Sequence, residues 1–139
     1  MEKIGIGLKV DLARMRLLIW FLVGMLPLNL LASEEIKLVN VSTGVGVGCY
    51  GQCGFLQLSV CVKNLGYEKD VRMVYVTSGS DKFQQIRLTY QRSNGTCDIF
   101  GYRNNFGTKG QNVQYMLRYQ VNDQVFVDDN EGQYYGFQL

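Results

Sequence analysis

The sequence contains no histidine, and it has a single tryptophan and a single proline among 139 residues. Without histidine the chain cannot form the Ser-His or Cys-His pair that activates many catalytic nucleophiles. The one tryptophan, Trp20, lies in an N-terminal apolar run that we expect to be removed from the mature chain. These shortages argue against an enzyme, and they leave tyrosine and phenylalanine as the aromatic residues of the mature protein.

An excess of charge of one sign is also missing from most of the chain. Four of the 14 Lys and Arg residues and two of the 12 Asp and Glu residues precede Ser33, so ten of each kind follow it. The net charge of +2 therefore belongs to the N-terminal segment. A neutral domain lacks the basic field that nucleic acid or an anionic membrane requires, so we expect neither as a partner.

The N-terminal segment has the pattern of a secretory signal peptide. The first 16 residues are polar and basic, Leu17–Leu31 contains no charge, and Ala32 precedes a polar stretch. A membrane-spanning helix needs about 20 apolar residues, and Pro27 interrupts this shorter run. We therefore predict a signal peptide over residues 1–32 and a secreted, extracellular mature chain. An uncleaved signal anchor is the alternative.

All four cysteines lie in the expected mature part. An even number of cysteines in a small exported domain favours two disulfides. Three pairings are possible, and we favour Cys49–Cys53, which would close a glycine-rich loop, together with Cys61–Cys97, which would join two strands. A zinc site is the alternative, but the cysteine spacing matches no common ligand pattern, so we predict no metal and no cofactor.

Two sequons agree with export. Asn40-Val41-Ser42 and Asn94-Gly95-Thr96 both have the pattern of acceptors for N-linked glycans. If the chain is secreted, Asn40 and Asn94 are candidate glycosylation sites.

The mature chain is predicted to be all β. In Phe55–Lys63 apolar and polar residues alternate with a period of two, which is typical of a half-buried strand. Asn122-Asp123 predicts a tight hairpin turn. Strands are expected over Ile36–Val41, Phe55–Lys63, Val71–Val76, Gln84–Tyr90, Cys97–Tyr102, Val113–Val121, Gln124–Val127 and Tyr135–Leu139. Seven or eight short strands in this length favour an antiparallel β-sandwich of the immunoglobulin-like type.

Two loop segments look like chemical motifs. Gly46–Gly51 fits G-x-G-x-x-G, but a dinucleotide site needs a helix after that motif and here a strand is expected. Asp128–Gly132 is acidic but lacks the alternating ligand spacing of a calcium loop, so we interpret it as a solvated turn. We accordingly divide the mature chain into an N-terminal strand with a Gly/Cys-rich loop, residues 33–54, and a β-sandwich domain, residues 55–139.

Four segments of the sandwich resemble family 21 of the carbohydrate-binding modules. Val62–Val71 is similar to the family signature V-K-N-x-x-[FY]-x-K-x-V, and Gly79–Phe83 is similar to an acidic turn that ends in Trp. Leu117–Asp123 and Asp128–Tyr135 are similar to a later strand, its turn and a D-N-N-x-G-x-N-Y segment. The family includes fungal starch-binding domains and glycogen-targeting subunits of protein phosphatase 1. The resemblance implies a non-catalytic module that binds α-glucan.

The resemblance also implies a first sugar site around Tyr67. Sugar rings stack an apolar face on an aromatic ring and present hydroxyls that need hydrogen-bond partners. By resemblance Tyr67 is the stacking platform, and Asn64 and Lys69 bind hydroxyls beside it. The structural alternatives are that Asn64 caps the turn, Tyr67 packs on the sandwich edge and Lys69 is a solvated strand residue.

A second sugar site is implied around Phe83, which occupies the position of the main stacking Trp of the family. Asp129 and Asn130 match polar residues of the adjacent family loop. Several residues depart from the family pattern here, since Phe replaces Trp, Val127 replaces an aromatic residue and Asp129 replaces Asn. The resemblance therefore implies that this site is weaker than the site around Tyr67.

Two functions follow from these expectations. The favoured one is a secreted module that recognises starch- or glycogen-like α-glucan. The alternative is a targeting subunit that brings protein phosphatase 1 to glycogen through a basic-x-[VI]-x-[FW] strand. The nearest match to that strand, Lys37–Val41, has Val41 where the aromatic anchor should be. Loss of such an anchor costs about 2 kcal/mol or more, which disfavours the alternative.

Overall fold

The computed structural model describes residues 34–139, so the expected signal peptide and its cleavage site lie outside the described residues. Within this range the regular secondary structure consists of β-strands alone. The described residues contain no helix that could span a membrane. The strands are β1 (Ile36–Val45), β2 (Cys53–Val62), β3 (Asp70–Thr77), β4 (Gln84–Arg87), β5 (Thr89–Ser93), β6 (Asp98–Thr108), β7 (Asn112–Val121), β8 (Gln124–Asp128) and β9 (Tyr135–Gln138).

The strands form two antiparallel sheets that pack face to face. The first sheet has the order β1-β2-β6-β5, and the second has the order β4-β3-β7-β8. Strand β9 pairs with Asn112–Tyr115 of β7, and β8 pairs with Leu117–Val121, so the two short strands lie end to end along β7. The antiparallel sandwich expected from the sequence is confirmed at this level, with nine strands rather than seven or eight.

The period-two pattern explains which side chains fill the space between the sheets. In β2 every second side chain is fully buried, at Leu56, Leu58, Val60 and Val62. Strand β7 contributes Tyr115, Leu117 and Tyr119, which are also buried between the sheets. Because side chains alternate between the faces of a strand, the intervening residues point away from this core.

A smaller apolar cluster lies on the outer face of the second sheet. Val74 of β3 and Met116 of β7 are directly opposite each other and alternate with core residues of the same strands. Val127 of β8 joins them, and all three are almost completely buried. The outer face of this sheet is therefore covered rather than open over part of its area.

The sequence-based strand over Gln84–Tyr90 is wrong in one respect, because it is two strands in different sheets. Strand β4 pairs with β3, whereas β5 pairs with β6. The chain changes sheet at Leu88, whose side chain is buried and whose N–H donates to the Val71 carbonyl at 2.8 Å. Alternation alone does not reveal such a change, since it shows which residues share a face of a strand and not which strand lies beside it.

The N-terminal strand is also longer than the sequence indicated. Strand β1 pairs with β2 from Ile36 to Val45, so Ser42–Val45 belongs to a strand rather than to a loop. Ile36 is buried in the main core. We accordingly describe residues 36–139 as one sandwich.

The turn at Asn122-Asp123 forms as expected. Both residues have positive φ angles, 48° and 60°, as a two-residue type I′ hairpin requires. Asn and Asp tolerate this conformation better than most residues, and the turn joins β7 to β8 with Val121 opposite Gln124.

Both favoured disulfides are present, Cys49–Cys53 and Cys61–Cys97. Since all four cysteines are bonded, none is available for the zinc site considered above. The first disulfide closes the loop between β1 and β2, and Gly46–Gly51 therefore belongs to a hairpin with no helix after it. The second joins β2 to the start of β6.

Candidate functional site

A cleft of about 810 Å³ opens at one edge of the sandwich, within the range that small-ligand sites occupy. It lies where the chain passes from β4 to β5 and the β2–β3 loop comes close. Three of the sequence-predicted residues line it, namely Asn64, Tyr67 and Lys69. The structure therefore brings together the residues that the resemblance assigned to the first sugar site.

Tyr67 stands out from the β2–β3 loop with 99% of its surface exposed, so the packing alternative for this residue is wrong. The loop beneath it is held in place. Asn122 Nδ2 donates to the Leu65 carbonyl at 2.7 Å, and the Tyr119 hydroxyl donates to the Lys63 carbonyl at 2.8 Å. A ring with this exposure on an anchored loop is available for stacking.

The residue next to the ring, Gly66, lies very close to the β7–β8 turn. A Cβ at Gly66 would lie 2.7 Å from side-chain atoms of Asn122, which is too close for an ordinary contact. Glycine therefore permits the loop to lie against the β7–β8 turn.

Asn64 is exposed on the wall of the cleft. Among residues 34–139 its side chain makes no hydrogen bond, so the capping alternative gains no support. Its amide can donate to and accept from a ligand hydroxyl.

Lys69 lies at the base of the cleft and is not a solvated strand residue. Its Nζ is 3.1 Å from Asp98 Oδ2, and the two side chains are only 8% and 10% exposed. Asp98 also lines the cleft. An ammonium group has three hydrogen-bond donors, and one ion pair does not use all of them. Lys69 can therefore still donate a hydrogen bond to a ligand hydroxyl at the base of the cleft.

Tyr90 is a cleft residue that the sequence analysis missed. Its ring is 58% exposed and packs edge-to-face against the buried Phe100, with ring centroids 5.7 Å apart. Tyr90 and Phe100 lie opposite each other in β5 and β6, so their side chains are on the same face of the sheet. Only the pairing of β5 with β6 places Tyr90 in the same cleft as Tyr67, and no local pattern shows that pairing.

Arg87 forms part of the rim and belongs to a row of arginines. It lies directly opposite Arg72, which lies opposite Arg118 across β3 and β7. Asp70 is within ion-pair distance of all three, with its closest approach 2.8 Å to Arg72 Nε. Like charges directly opposite each other destabilise a sheet, so Asp70 offsets this repulsion. Burial lowers the pKa of Arg118.

The second predicted site is less exposed than the first. Phe83 is half-buried and packs against the outer cluster of Val74, Met116 and Val127. Tyr134 packs against the same cluster. The Phe83 ring therefore covers part of this cluster and remains partly exposed to solvent.

The polar residues assigned to that site make hydrogen bonds within the turn that contains them. Asp129 Oδ1 accepts a hydrogen bond from the Gly132 N–H at 3.0 Å, and Asn130 Nδ2 donates to the Tyr134 carbonyl at 3.2 Å. The Tyr135 hydroxyl donates to Asp128, and burial together with that carboxylate raises the pKa of Tyr135. The sequence interpretation of this segment as a turn agrees with these contacts.

The remaining predicted positions are at the surface. Asn40 is exposed in β1, and Asn94 is exposed in the turn after β5. Asn94 Oδ1 also accepts hydrogen bonds from the Thr96 and Cys97 N–H groups. Lys37–Val41, the nearest match to a phosphatase-docking strand, lies within β1 and pairs with β2. Glycosylation and docking stay predictions.

Comparison with known families decides the relationship of this chain. A sequence model of the carbohydrate/starch-binding module family 21 matches residues 37–138, which is most of the protein and nearly all of the sandwich. The chain belongs to this family. The resemblance seen in the sequence is thereby confirmed, and it extends upstream to include β1.

Two solved structures are similar to this family 21 module. One is the starch-binding domain of Rhizopus oryzae glucoamylase in complex with β-cyclodextrin and maltoheptaose, with 15% identity and a TM-score of 0.58, covering 81% of this chain and 100% of that one. The other is the carbohydrate-binding module of the muscle glycogen-targeting subunit of protein phosphatase-1, with 17% identity and a TM-score of 0.58, covering 90% and 83%. At these identities the likeness shows a common fold. Comparison with curated protein sequences gives no match.

Proposed function

We propose that this family 21 module binds α-glucan chains, without catalysing a reaction, through the cleft between Tyr67 and Tyr90. The observation that carries the proposal is the full exposure of the Tyr67 ring on an anchored loop at the cleft mouth. A rigid, exposed aromatic residue costs little conformational entropy when it binds a flat ligand.

The surroundings of the two rings suit a sugar. Tyr67 and Tyr90 offer apolar faces, and Asn64, Lys69 and Asp98 offer donors and acceptors between them. Glucose combines an apolar ring face with a rim of hydroxyls, so it can use both kinds of group at once. A purely apolar ligand would displace water from the polar groups of the cleft without replacing its hydrogen bonds, and this desolvation would cost binding free energy.

Relatives support the choice of α-glucan over other polysaccharides. The two similar structures are a starch-binding domain in complex with β-cyclodextrin and maltoheptaose and a module of a glycogen-targeting subunit. The partial burial of Phe83, beside the full exposure of Tyr67, further supports a single principal site at Tyr67 rather than two equal sites.

A pull-down tests the proposal. The secreted product is incubated with insoluble starch, glycogen, cellulose and chitin in parallel, and we expect retention on starch and glycogen. Tyr67→Ala should weaken maltoheptaose binding about five- to thirty-fold, the equivalent of one aromatic stack, without lowering the melting temperature. Tyr50→Ala is the matched control, because Tyr50 is equally exposed but lies in the disulfide-closed loop at the other end of β2. Normal binding by Tyr67→Ala would contradict the assignment of the site.

We further propose that the module acts outside the cell after removal of residues 1–32. The basic flank, the apolar run and the two disulfides support this location. Expression of the full chain in a secretory host should release a product that begins near Ser33, as N-terminal sequencing can establish. Recovery of the intact chain in the membrane fraction would favour an anchor instead.

A further inference from the structure

A second hollow, of about 680 Å³, lies on the other side of Tyr67. Tyr67, Lys69 and Arg87 line both this hollow and the cleft. The exposed side chains of Tyr67 and Arg87 form a ridge between the two, and the nearly buried Lys69 lies beneath it. A ligand that stacks on the exposed Tyr67 ring therefore has a concave surface on each side of it.

The far wall of the hollow is the β7–β8 hairpin, which contributes Gln120, Asn122 and Asp123. The Asn122 side chain holds the carbonyl of Leu65 in the Tyr67 loop. This contact fixes the distance between the hairpin and the stacking ring. The hollow is thus part of the folded scaffold that positions Tyr67.

The chemistry of the second hollow differs from that of the cleft. Glu68 and Asp123 are exposed along it, and within residues 34–139 neither carboxylate has an ion-pair or hydrogen-bond partner. A carboxylate has two oxygens and accepts hydrogen bonds only, so each can accept from two neighbouring hydroxyls of a sugar. Arg87 adds donors at the ridge.

We propose that the second hollow is a further sugar subsite, which binds the next units of the same glucan chain after it crosses Tyr67. Glu68 and Asp123 accept hydrogen bonds from the hydroxyls of those units. This inference rests on the proposed function, since it requires α-glucan in the cleft. It makes the binding site a continuous groove whose affinity increases with chain length.

The test compares a short and a long ligand by calorimetry. The wild-type protein should bind maltoheptaose more tightly than maltotriose, because only the longer chain reaches both hollows. Glu68→Gln combined with Asp123→Gly should weaken maltoheptaose binding about tenfold, as expected for the loss of charged hydrogen-bond acceptors, and leave maltotriose binding unchanged. Glycine at position 123 suits the positive φ angle of the turn, so the hairpin should keep its shape.

The controls separate this inference from the proposed function. Glu131→Gln removes an exposed carboxyl from the turn between β8 and β9, and it should change neither affinity. Tyr67→Ala should weaken the binding of both ligands. Equal affinity of the wild type for the two oligosaccharides, or a double variant that binds maltoheptaose normally, would overturn the second subsite while the cleft remains. Failure of the wild type to bind either ligand would overturn the proposed function and this inference with it.

Discussion

Lys69 Nζ lies 3.1 Å from Asp98 Oδ2 beneath the cleft, and this ion pair joins the start of β3 to the start of β6. The two side chains are nearly buried, so neither can recover its hydration if its partner is lost. The pair also lies beside the Cys61–Cys97 disulfide, since Cys97 precedes Asp98. The base of the proposed sugar site is therefore a cross-link between the two sheets.

Replacing one member of this pair should be far more damaging than replacing both. Asp98→Leu leaves a buried ammonium unpaired, and we expect a loss of about 3–5 kcal/mol in the free energy of unfolding. Asp98→Leu with Lys69→Met should recover most of that loss. Urea unfolding measures both changes. Lys63→Ala, which removes the exposed pair with Glu35, is the control and should cost about 0–1 kcal/mol. Equal losses in the single and double variants would contradict this account.

The two disulfides should contribute unequally to stability. Cys61–Cys97 spans 36 residues and Cys49–Cys53 spans only 4. Loop closure in the unfolded chain costs more entropy for the longer loop, so the Cys61→Ala and Cys97→Ala pair should lose about 2–5 kcal/mol, and the other pair less. Urea unfolding again gives the values. Alkylation of the denatured, non-reduced protein should modify no thiol, and two or more modified cysteines would refute the framework.

Stability should fall at alkaline pH because of buried tyrosines. Burial raises the pKa of Tyr75, Tyr102, Tyr115, Tyr119 and Tyr135 above the ordinary value of 10.0. The folded state therefore holds these phenol protons more tightly than the unfolded state does. Their stabilising contribution is complete below pH 10, and it is lost as the pH rises above 10 towards the raised pKa values.

Urea unfolding between pH 8 and 11 tests this pH dependence. Below pH 10 these tyrosines should have little effect on how the free energy of unfolding varies with pH. Above pH 10 their ionisation should make that free energy decline. Tyr135→Phe removes one of the titrating phenols and its hydrogen bond to Asp128, so it should lower stability at pH 8 and make the alkaline decline shallower. A stability that rises between pH 10 and 11 would contradict the sign of the shift.

Phe83→Ala should weaken the fold rather than sugar binding. The ring covers Val74, Met116 and Val127, and removing it exposes that cluster. Because Phe83 is only half-buried, we expect a loss of about 1–3 kcal/mol, less than a fully buried phenylalanine would give. Thermal melts and maltoheptaose affinity are measured together. Lost binding with an unchanged melt would instead favour the stacking role that the family resemblance implies.

Local features of the sequence were enough to predict the fold class and part of the candidate site. Alternation in β2 and β7 predicts strands with one buried face, because side-chain direction along a strand depends only on residue parity. The Asn122-Asp123 turn follows from the backbone preferences of two residues. The segment from Asn64 to Lys69 could be found because its residues are close together in the chain and match a family signature.

Other features depend on which strands become neighbours, and no local pattern contains that information. Leu88 carries the chain from one sheet to the other, and this crossing places Tyr90 at the cleft. Phe83 has an aromatic ring at a family stacking position, yet packing against Val74 and Met116 buries part of it. Tertiary structure also buries Lys69 against Asp98, distant in sequence. Alternation fixed which side of each strand is apolar, whereas long-range strand pairing decided which exposed rings and charges share a site.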